Sequence, residues 1–317
     1  MYYSFLVTVP LMINFWFNII LESFLIMKKK NYFKILKYLF IFLFCVLAVE
    51  LCSCSPLLKK AEKLSSNIPF NYPGLRIETR SIRPADINES SPIIICFGDS
   101  VTFGWNLKYE YSYPYLLEKQ MIKNYPEIKI INSGIGGNTI LDGLDRVEKD
   151  VLFYEPDFVI VNFGLNDGML KEKKKYLNDK ELDNKEELFY KENGWYYIPR
   201  VNISDFKNSY SKLIGVLKSK KINILLLGMN PVTDSFPLAE NSDFKEKQKE
   251  IYEVYNNSIV SAAASSGVDC INLWEIFLSA SEREDFIQED GIHPSKEGLQ
   301  LIAESVYKYF SDKELFD

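Results

Sequence analysis

Five short apolar runs, spaced by stretches with helical periodicity, constrain this chain more than any other feature in it. The runs are residues 93–97 (IIICF), 128–131 (IKII), 158–163 (FVIVNF), 222–227 (INILLL) and 268–273 (VDCINL). Each is strand-length and most are rich in β-branched residues, which suits strands buried on both faces. Segments 113–124, 141–153, 205–219 and 244–266 lie between them and read as helices. A last helix over 295–310 begins just after Pro294 and places Leu299, Ile302, Val306 and Phe310 on one face. Strands alternating with helices predict right-handed βαβ units and a parallel sheet sandwiched between helices. Sheets of that kind bind their ligands beyond the carboxyl ends of the strands.

The chemistry-bearing residues fall at those ends. Gly98-Asp99-Ser100-Val101-Thr102-Phe103-Gly104 follows the first run, and Asn132-Ser133-Gly134-Ile135-Gly136-Gly137-Asn138-Thr139 the second. Gly164-Leu165-Asn166-Asp167-Gly168 follows the third, and Asp290-Gly291-Ile292-His293-Pro294 precedes the last helix. Taken singly, each has a plain structural reading. Asp99-Ser100 is a helix cap, the glycines a tight turn, Asn166-Asp167 another turn and His293 a surface residue. The glycine loop lacks the dinucleotide-binding spacing, and no phosphate-loop lysine follows it.

Taken together they make a catalytic set. A serine hydroxyl is a weak nucleophile until a base takes its proton, and histidine does this best near neutrality. The chain holds one histidine, so His293 alone can serve Ser100. Asp290, three residues earlier, can orient the imidazole and stabilise its charged form. Negative charge developing on a substrate oxygen needs preorganised donors: backbone N–H groups at Ser100 and in the glycine loop, with the Asn166 side-chain amide as a third.

These four ordered blocks resemble those of the SGNH, or GDSL-like, esterases and lipases, over roughly residues 91–310. The resemblance implies a three-layer α/β/α sandwich with a five-stranded parallel sheet, flavodoxin-like in layout. It implies Ser100 as nucleophile, His293 as base and Asp290 as the third member of the triad. The oxyanion hole it implies comprises Ser100, Gly137 and Asn166. Val101 stands where the eponymous motif has leucine. The G-x-S-x-G motif of standard α/β-hydrolases occurs nowhere in the chain.

Substrate contacts are less constrained. Residues 171–193 form a charged insertion directly after the Asn166 block, read as a solvated excursion, and it runs into Trp195-Tyr196-Tyr197. If that cluster folds over the site, Trp195 and Tyr196 can act as a lid or as a stacking platform for a sugar ring. Trp105, just past the nucleophile loop, is a second candidate wall of the pocket, with a core role as its alternative.

The N-terminus has a different character. Five lysines in residues 28–37 precede an uninterrupted apolar run at 38–49, the layout of a secretory signal. Leu51-Cys52-Ser53-Cys54 follows and resembles a bacterial lipobox, with Cys54 as the residue to be lipid-modified; the alternative is an uncleaved membrane anchor. Residues 1–26 carry one charged residue, Glu22, and read as a mis-annotated extension ahead of a start at Met27, or as an extra membrane segment. The expected organisation is therefore 1–26 extension, 27–54 signal or anchor, 55–90 a Pro- and Ser-containing linker, and 91–317 the hydrolase domain.

A net charge of −6 offers no sequence-wide basic field to nucleic acid. Of five cysteines, Cys96 and Cys270 lie in apolar runs and read as small core residues, without metal-ligand spacing. Neither a metal nor a cofactor is expected. The sequence thus predicts a serine esterase at the cell envelope, acting on small acyl, acetylated-glycan or lipid esters. Its competitors are an O-acyltransferase on the same fold and a non-catalytic glycan-binding envelope lipoprotein.

Overall fold

A computed structural model describes residues 92–177, 188–236, 241–280 and 285–313, all within the unit Pro69–Asp317. The segments expected as extension, signal or anchor, and linker lie outside the described residues, as does Cys54. All five apolar runs form strands. They are β1 (Ile93–Gly98), β2 (Lys129–Gly134), β3 (Phe158–Asn162), β7 (Asn223–Leu227) and β8 (Asp269–Ile271). They pair in parallel in the order β2-β1-β3-β7-β8. Every residue of β1 and β3 is buried, which is why these strands read as continuous apolar runs rather than alternating ones. Ile94, Ile95, Phe97, Val159, Ile160 and Val161 are shielded completely from solvent. Burial of such a side chain contributes about 1.5–3 kcal/mol, so the loops at the strand ends stand on a firm floor.

The helices are α1 (Ser100–Phe103), α2 (Tyr113–Met121), α3 (Ile140–Asp150) and α4 (Leu165–Gly168), then α5 (Ile203–Ser219), α6 (Ser242–Ser266), α7 (Leu273–Ser279) and α8 (Lys296–Asp312). Helix α2 packs against α8, and α5 packs against both α3 and α6, giving two helical layers about the sheet. The caps are written in the sequence. Thr139 and Asp142 close a capping box at α3, and the Ser295 hydroxyl accepts from the Gly298 N–H, 3.1 Å away, at α8. The buried set of α8 includes Leu299, Ile302, Val306 and Phe310, as its spacing predicts.

The charged insertion departs from the solvated excursion expected of it. Strands β4 (Leu170–Lys174), β5 (Tyr190–Glu192) and β6 (Trp195–Pro199) form a separate antiparallel sheet in the order β4-β6-β5. The Tyr190 and Tyr197 rings lie 5.2 Å and 5.6 Å from that of Phe244, which fastens this sheet to the start of α6.

The chain leaves β1 toward β2 on one side and returns to β3 on the other. A switch of this kind opens a crevice at the carboxyl ends of β1 and β3. Ser100 follows β1 and Asn166 follows β3, so both stand at that crevice.

Candidate active site

Ser100 begins α1 immediately after Asp99, whose carboxylate accepts the Val101 N–H at 2.9 Å and caps the helix. The Ser100 Oγ lies 2.9 Å from Nε2 of His293, and Nδ1 of His293 lies 2.7 Å from Oδ2 of Asp290. A carboxylate can only accept, so Nδ1 carries the proton and Nε2 presents its lone pair to the serine hydroxyl. The other Asp290 oxygen accepts the N–H groups of Ile292 and His293, each at 3.0 Å. Partial burial acts to raise the Asp290 pKa, but the hydrogen bonds from His293 and Ile292 outweigh it and hold the carboxyl below its usual value. Asp290 is therefore a charged anchor for the imidazole.

The loop that carries His293 is fastened from several directions. Gln288 N–H donates to the His293 carbonyl at 2.8 Å, and Thr233 N–H to the Gly291 carbonyl at 2.9 Å. The Asn230 amide donates to the Ile292 carbonyl at 2.8 Å. A base fixed in this way meets the serine with little reorganisation.

Hydrogen bonds join the loops that carry the expected oxyanion donors. Neither the Ser100 N–H nor the Gly137 N–H donates to any described residue, so both are available to a ligand. Gly137 has φ +79°, a left-handed backbone that favours glycine. Asn166 is 8% exposed. Its Nδ2 donates to the Asn138 carbonyl at 3.1 Å and to Oδ2 of Asp99 at 3.3 Å. Burial pushes the Asp99 carboxyl up to about 6, although Val101, His293, Asn166 and Arg146 all act to lower it.

Two contributors, Arg146 and Arg200, were not visible in the sequence, and a third, Asp167, read there only as part of a turn. Arg146 projects from α3 beneath the glycine loop. It donates to the carbonyls of Gly98 and Ser133, at 2.8 Å and 3.0 Å, and to Asn138 Oδ1 at 2.8 Å. It also pairs with Asp150 at 3.0 Å, and its guanidinium lies 4.4 Å from the Phe97 ring centre. One cation thus ties the ends of β1 and β2 to the glycine loop. Asp167 is fully buried; one oxygen accepts the Ile140 N–H at 2.9 Å, and the other has no partner. Burial drives its pKa up to about 8, the Asp99 charge adding to the rise while the Ile140 hydrogen bond and Arg200 oppose it. Arg200, just beyond β6, donates to the Gly137 carbonyl at 3.1 Å and to Asn166 Oδ1 at 3.4 Å. Spacing gave no signal for either arginine, since an arginine on a helix or after a strand reads as solvated surface.

Trp105 stands beside the base: its ring stacks on His293 at 5.8 Å with 28° between the planes. A Cβ on Gly136 would come within 2.9 Å of that indole, so the glycine loop packs against the ring. Trp105 N–H donates to the Ser100 carbonyl at 3.0 Å, and Gln288 holds the Trp105 carbonyl at 2.9 Å. Trp195 and Tyr196 lie at the opposite end of β6 from Arg200, roughly 13–17 Å along an extended strand. The structure brings Trp105 to Ser100 and His293, and sets Trp195 and Tyr196 at the far end of β6 from Arg200.

Cys96 is buried, and Cys270 is only half-buried, less enclosed than a core position would be. Among the described residues no group of three or more His, Cys, Asp or Glu could hold a metal ion, and no helix is long and apolar enough to cross a membrane.

Comparison with known proteins bears on this geometry. The model of the GDSL-like lipase/acylhydrolase family matches residues 96–301, which include every loop described above. An arylesterase of Vibrio mimicus is 22% identical over 220 residues, covering 69% of this chain and 88% of that protein. A Bacillus subtilis (strain 168) protein named uncharacterized lipoprotein YqeF is 23% identical over 225 residues, covering 67% of this chain and 87% of that protein. The solved structure of the acetyl xylan esterase AlAXEase superposes with a TM-score of 0.51 at 22% identity, covering 68% of this chain and 98% of that one.

Proposed function

The chain belongs to the GDSL-like lipase/acylhydrolase family, and from that premise we propose that it is a serine esterase acting through an acyl-Ser100 intermediate. The observation that carries the reading is the continuous relay from Asp290 Oδ2 through His293 to Ser100 Oγ, with contacts of 2.7 Å and 2.9 Å. In the first half-reaction Ser100 Oγ bonds to the ester carbonyl carbon while its proton passes to His293 Nε2. The carbonyl oxygen becomes an oxyanion facing the N–H groups of Ser100 and Gly137, and the Asn166 amide joins them by exchanging one of its two hydrogen bonds, to Asn138 or to Asp99, for the substrate oxygen. The bond to the alcohol oxygen then breaks, and that oxygen takes the proton from His293. Water repeats the sequence on the acyl-enzyme, releasing the acid and restoring Ser100. Asp290 stays charged throughout and stabilises the imidazolium between the two transfers.

Small acyl esters are the substrate class this site fits. Trp105 lies against both the base and the glycine loop, so the space above Ser100 is walled on that side. Similarity to an arylesterase supports ester hydrolysis. The test is turnover of p-nitrophenyl acetate, butyrate and octanoate by the purified full-length protein beside its Ser100→Ala variant. Turnover that vanishes in the variant and declines with chain length supports the reading; equal turnover in both refutes it.

An envelope location, with lipid on Cys54, is proposed from the basic, apolar and small-residue order of residues 28–54. Similarity to a protein named as a lipoprotein supports it. Cys54→Ala should abolish metabolic labelling by an acyl-chain analogue, and unchanged labelling would remove the idea.

A further inference from the structure

We propose that Arg200, supplied by the inserted antiparallel sheet, is a positioning residue that sets and polarises the oxyanion hole. The proposal rests on the oxyanion roles read above for Gly137 and Asn166. One guanidinium nitrogen, Nη1, donates both to the Gly137 carbonyl at 3.1 Å and to Asn166 Oδ1 at 3.4 Å. It therefore joins two loops that are far apart in the chain and that each supply an oxyanion donor.

The Asn166 amide lies between unlike neighbours. Its oxygen faces the guanidinium, which can only donate, and its nitrogen faces the Asn138 carbonyl and the Asp99 carboxyl. A flipped amide would set its NH₂ against the cation and its oxygen against two acceptors. Arg200 thus acts with Asn138 and Asp99 to fix which way the Asn166 amide is turned. A cation on the amide oxygen also draws electron density from the nitrogen and strengthens its N–H groups as donors.

The backbone around Arg200 is built to hold it there. Arg200 N–H donates to the Met169 carbonyl at 3.2 Å and Val201 N–H to the Asp167 carbonyl at 3.1 Å. Tyr255 Oη donates to the Val201 carbonyl. Gln248, fully buried, donates to the Gly168 carbonyl at 2.9 Å and accepts the Leu170 N–H at 2.7 Å. The strand end that bears Arg200 is therefore bonded directly to the segment that bears Asn166. On this view the inserted sheet acts on the chemistry through Arg200.

The experiment compares wild type, Arg200→Ala, Arg200→Gln and Arg200→Lys as full-length proteins. It reads kcat and KM on p-nitrophenyl acetate, inhibition by phenylboronic acid, and melting temperature. Phenylboronic acid forms a tetrahedral anionic adduct with a reactive serine, so its affinity reports the oxyanion hole directly. Arg200→Ala and Arg200→Gln should lower kcat on the order of 10- to 100-fold with KM within about twofold, and weaken the boronate in proportion. Arg200→Lys should recover part of both losses. In an Asn166→Ala background, Arg200→Ala should cost less than it does in wild type, because only its hold on the Gly137 carbonyl remains. Wild-type kcat and boronate affinity in Arg200→Gln, or an undiminished loss in the Asn166→Ala background, would overturn the proposal. If an uncharged variant fails to fold, Arg200→Lys on the Asn166→Ala background still decides it. Turnover that survives in Ser100→Ala would instead strike the esterase reading itself.

Discussion

Nδ2 of Asn166 lies 3.3 Å from Oδ2 of Asp99, so the residue before the nucleophile helps to orient a donor 67 positions further along the chain. Asp99 thereby serves two masters, since its other oxygen caps α1 through the Val101 N–H. Asn166→Ala should lower kcat on the order of 10²-fold, with the fold intact and KM little changed. Asn166→Asp should be worse, because it places a second carboxyl against the buried Asp99. Wild-type kcat in Asn166→Ala would remove Asn166 from the oxyanion hole.

Arg146 offers a test of how the glycine loop is held. Its guanidinium serves the Gly98 and Ser133 carbonyls, Asn138 Oδ1 and the Asp150 carboxylate together. Arg146→Met keeps the apolar stem over Phe97 and leaves those acceptors without their donor. Loss of a buried charged partner of this kind costs about 3–5 kcal/mol. Urea unfolding should show a loss of that size, with a steeper fall in kcat than in stability-matched core variants. A loss below about 1 kcal/mol would mean that water replaces the cation at little cost.

Asp167 gives a pH signature. With its folded pKa raised to about 8, the group favours the folded state most at low pH, and that contribution is lost as pH rises through the folded value. Asp167→Asn holds a neutral side chain of the same shape at every pH. The stability of Asp167→Asn relative to wild type should therefore grow between about pH 4 and pH 8, by as much as about 1.4 kcal/mol per pH unit, and level off above. Urea titrations of both proteins at several pH values read the difference. A difference independent of pH would show that Asp167 ionises like an exposed carboxyl.

Gly291 sits between the two triad residues of the base loop with φ +72°, and a Cβ there would come within 2.3 Å of the Phe236 backbone nitrogen. Gly291→Ala must move the loop against a backbone that cannot yield. The variant should lose activity by more than an order of magnitude while its melting temperature falls only modestly, because the strain falls on the segment that sets His293 against Ser100. Full activity in Gly291→Ala would show that the loop relaxes without displacing the base.

The sequence made the main sheet plain because β1 and β3 are buried on both faces and so contain almost nothing but apolar residues. Ser100, Asn166, Asp290 and His293 were legible because each sits where a strand or loop ends and the topology brings those ends together. The second sheet was hidden for the opposite reason. Strands β4 and β5 read LKEKK and YKE, which carry no apolar period, and what holds them, the Gln248 bond to Leu170 and the Tyr190 contact with Phe244, comes from the distant α6. Arg146 and Arg200 were hidden by residue type, since the acceptors that make them interior belong to distant segments. Trp105 was legible as a neighbour of the nucleophile loop, but its stacking on His293 depends on a loop 188 positions later.

The central claim is that His293 activates Ser100 as a nucleophile. The most direct measurement treats the full-length protein with a fluorophosphonate probe, followed by peptide mass spectrometry, beside Ser100→Ala and His293→Ala. Covalent label is expected on the peptide that carries Ser100 in wild type, much slower labelling in His293→Ala, and none at that peptide in Ser100→Ala. Label at another residue, or no label on a protein that hydrolyses p-nitrophenyl acetate, would contradict it.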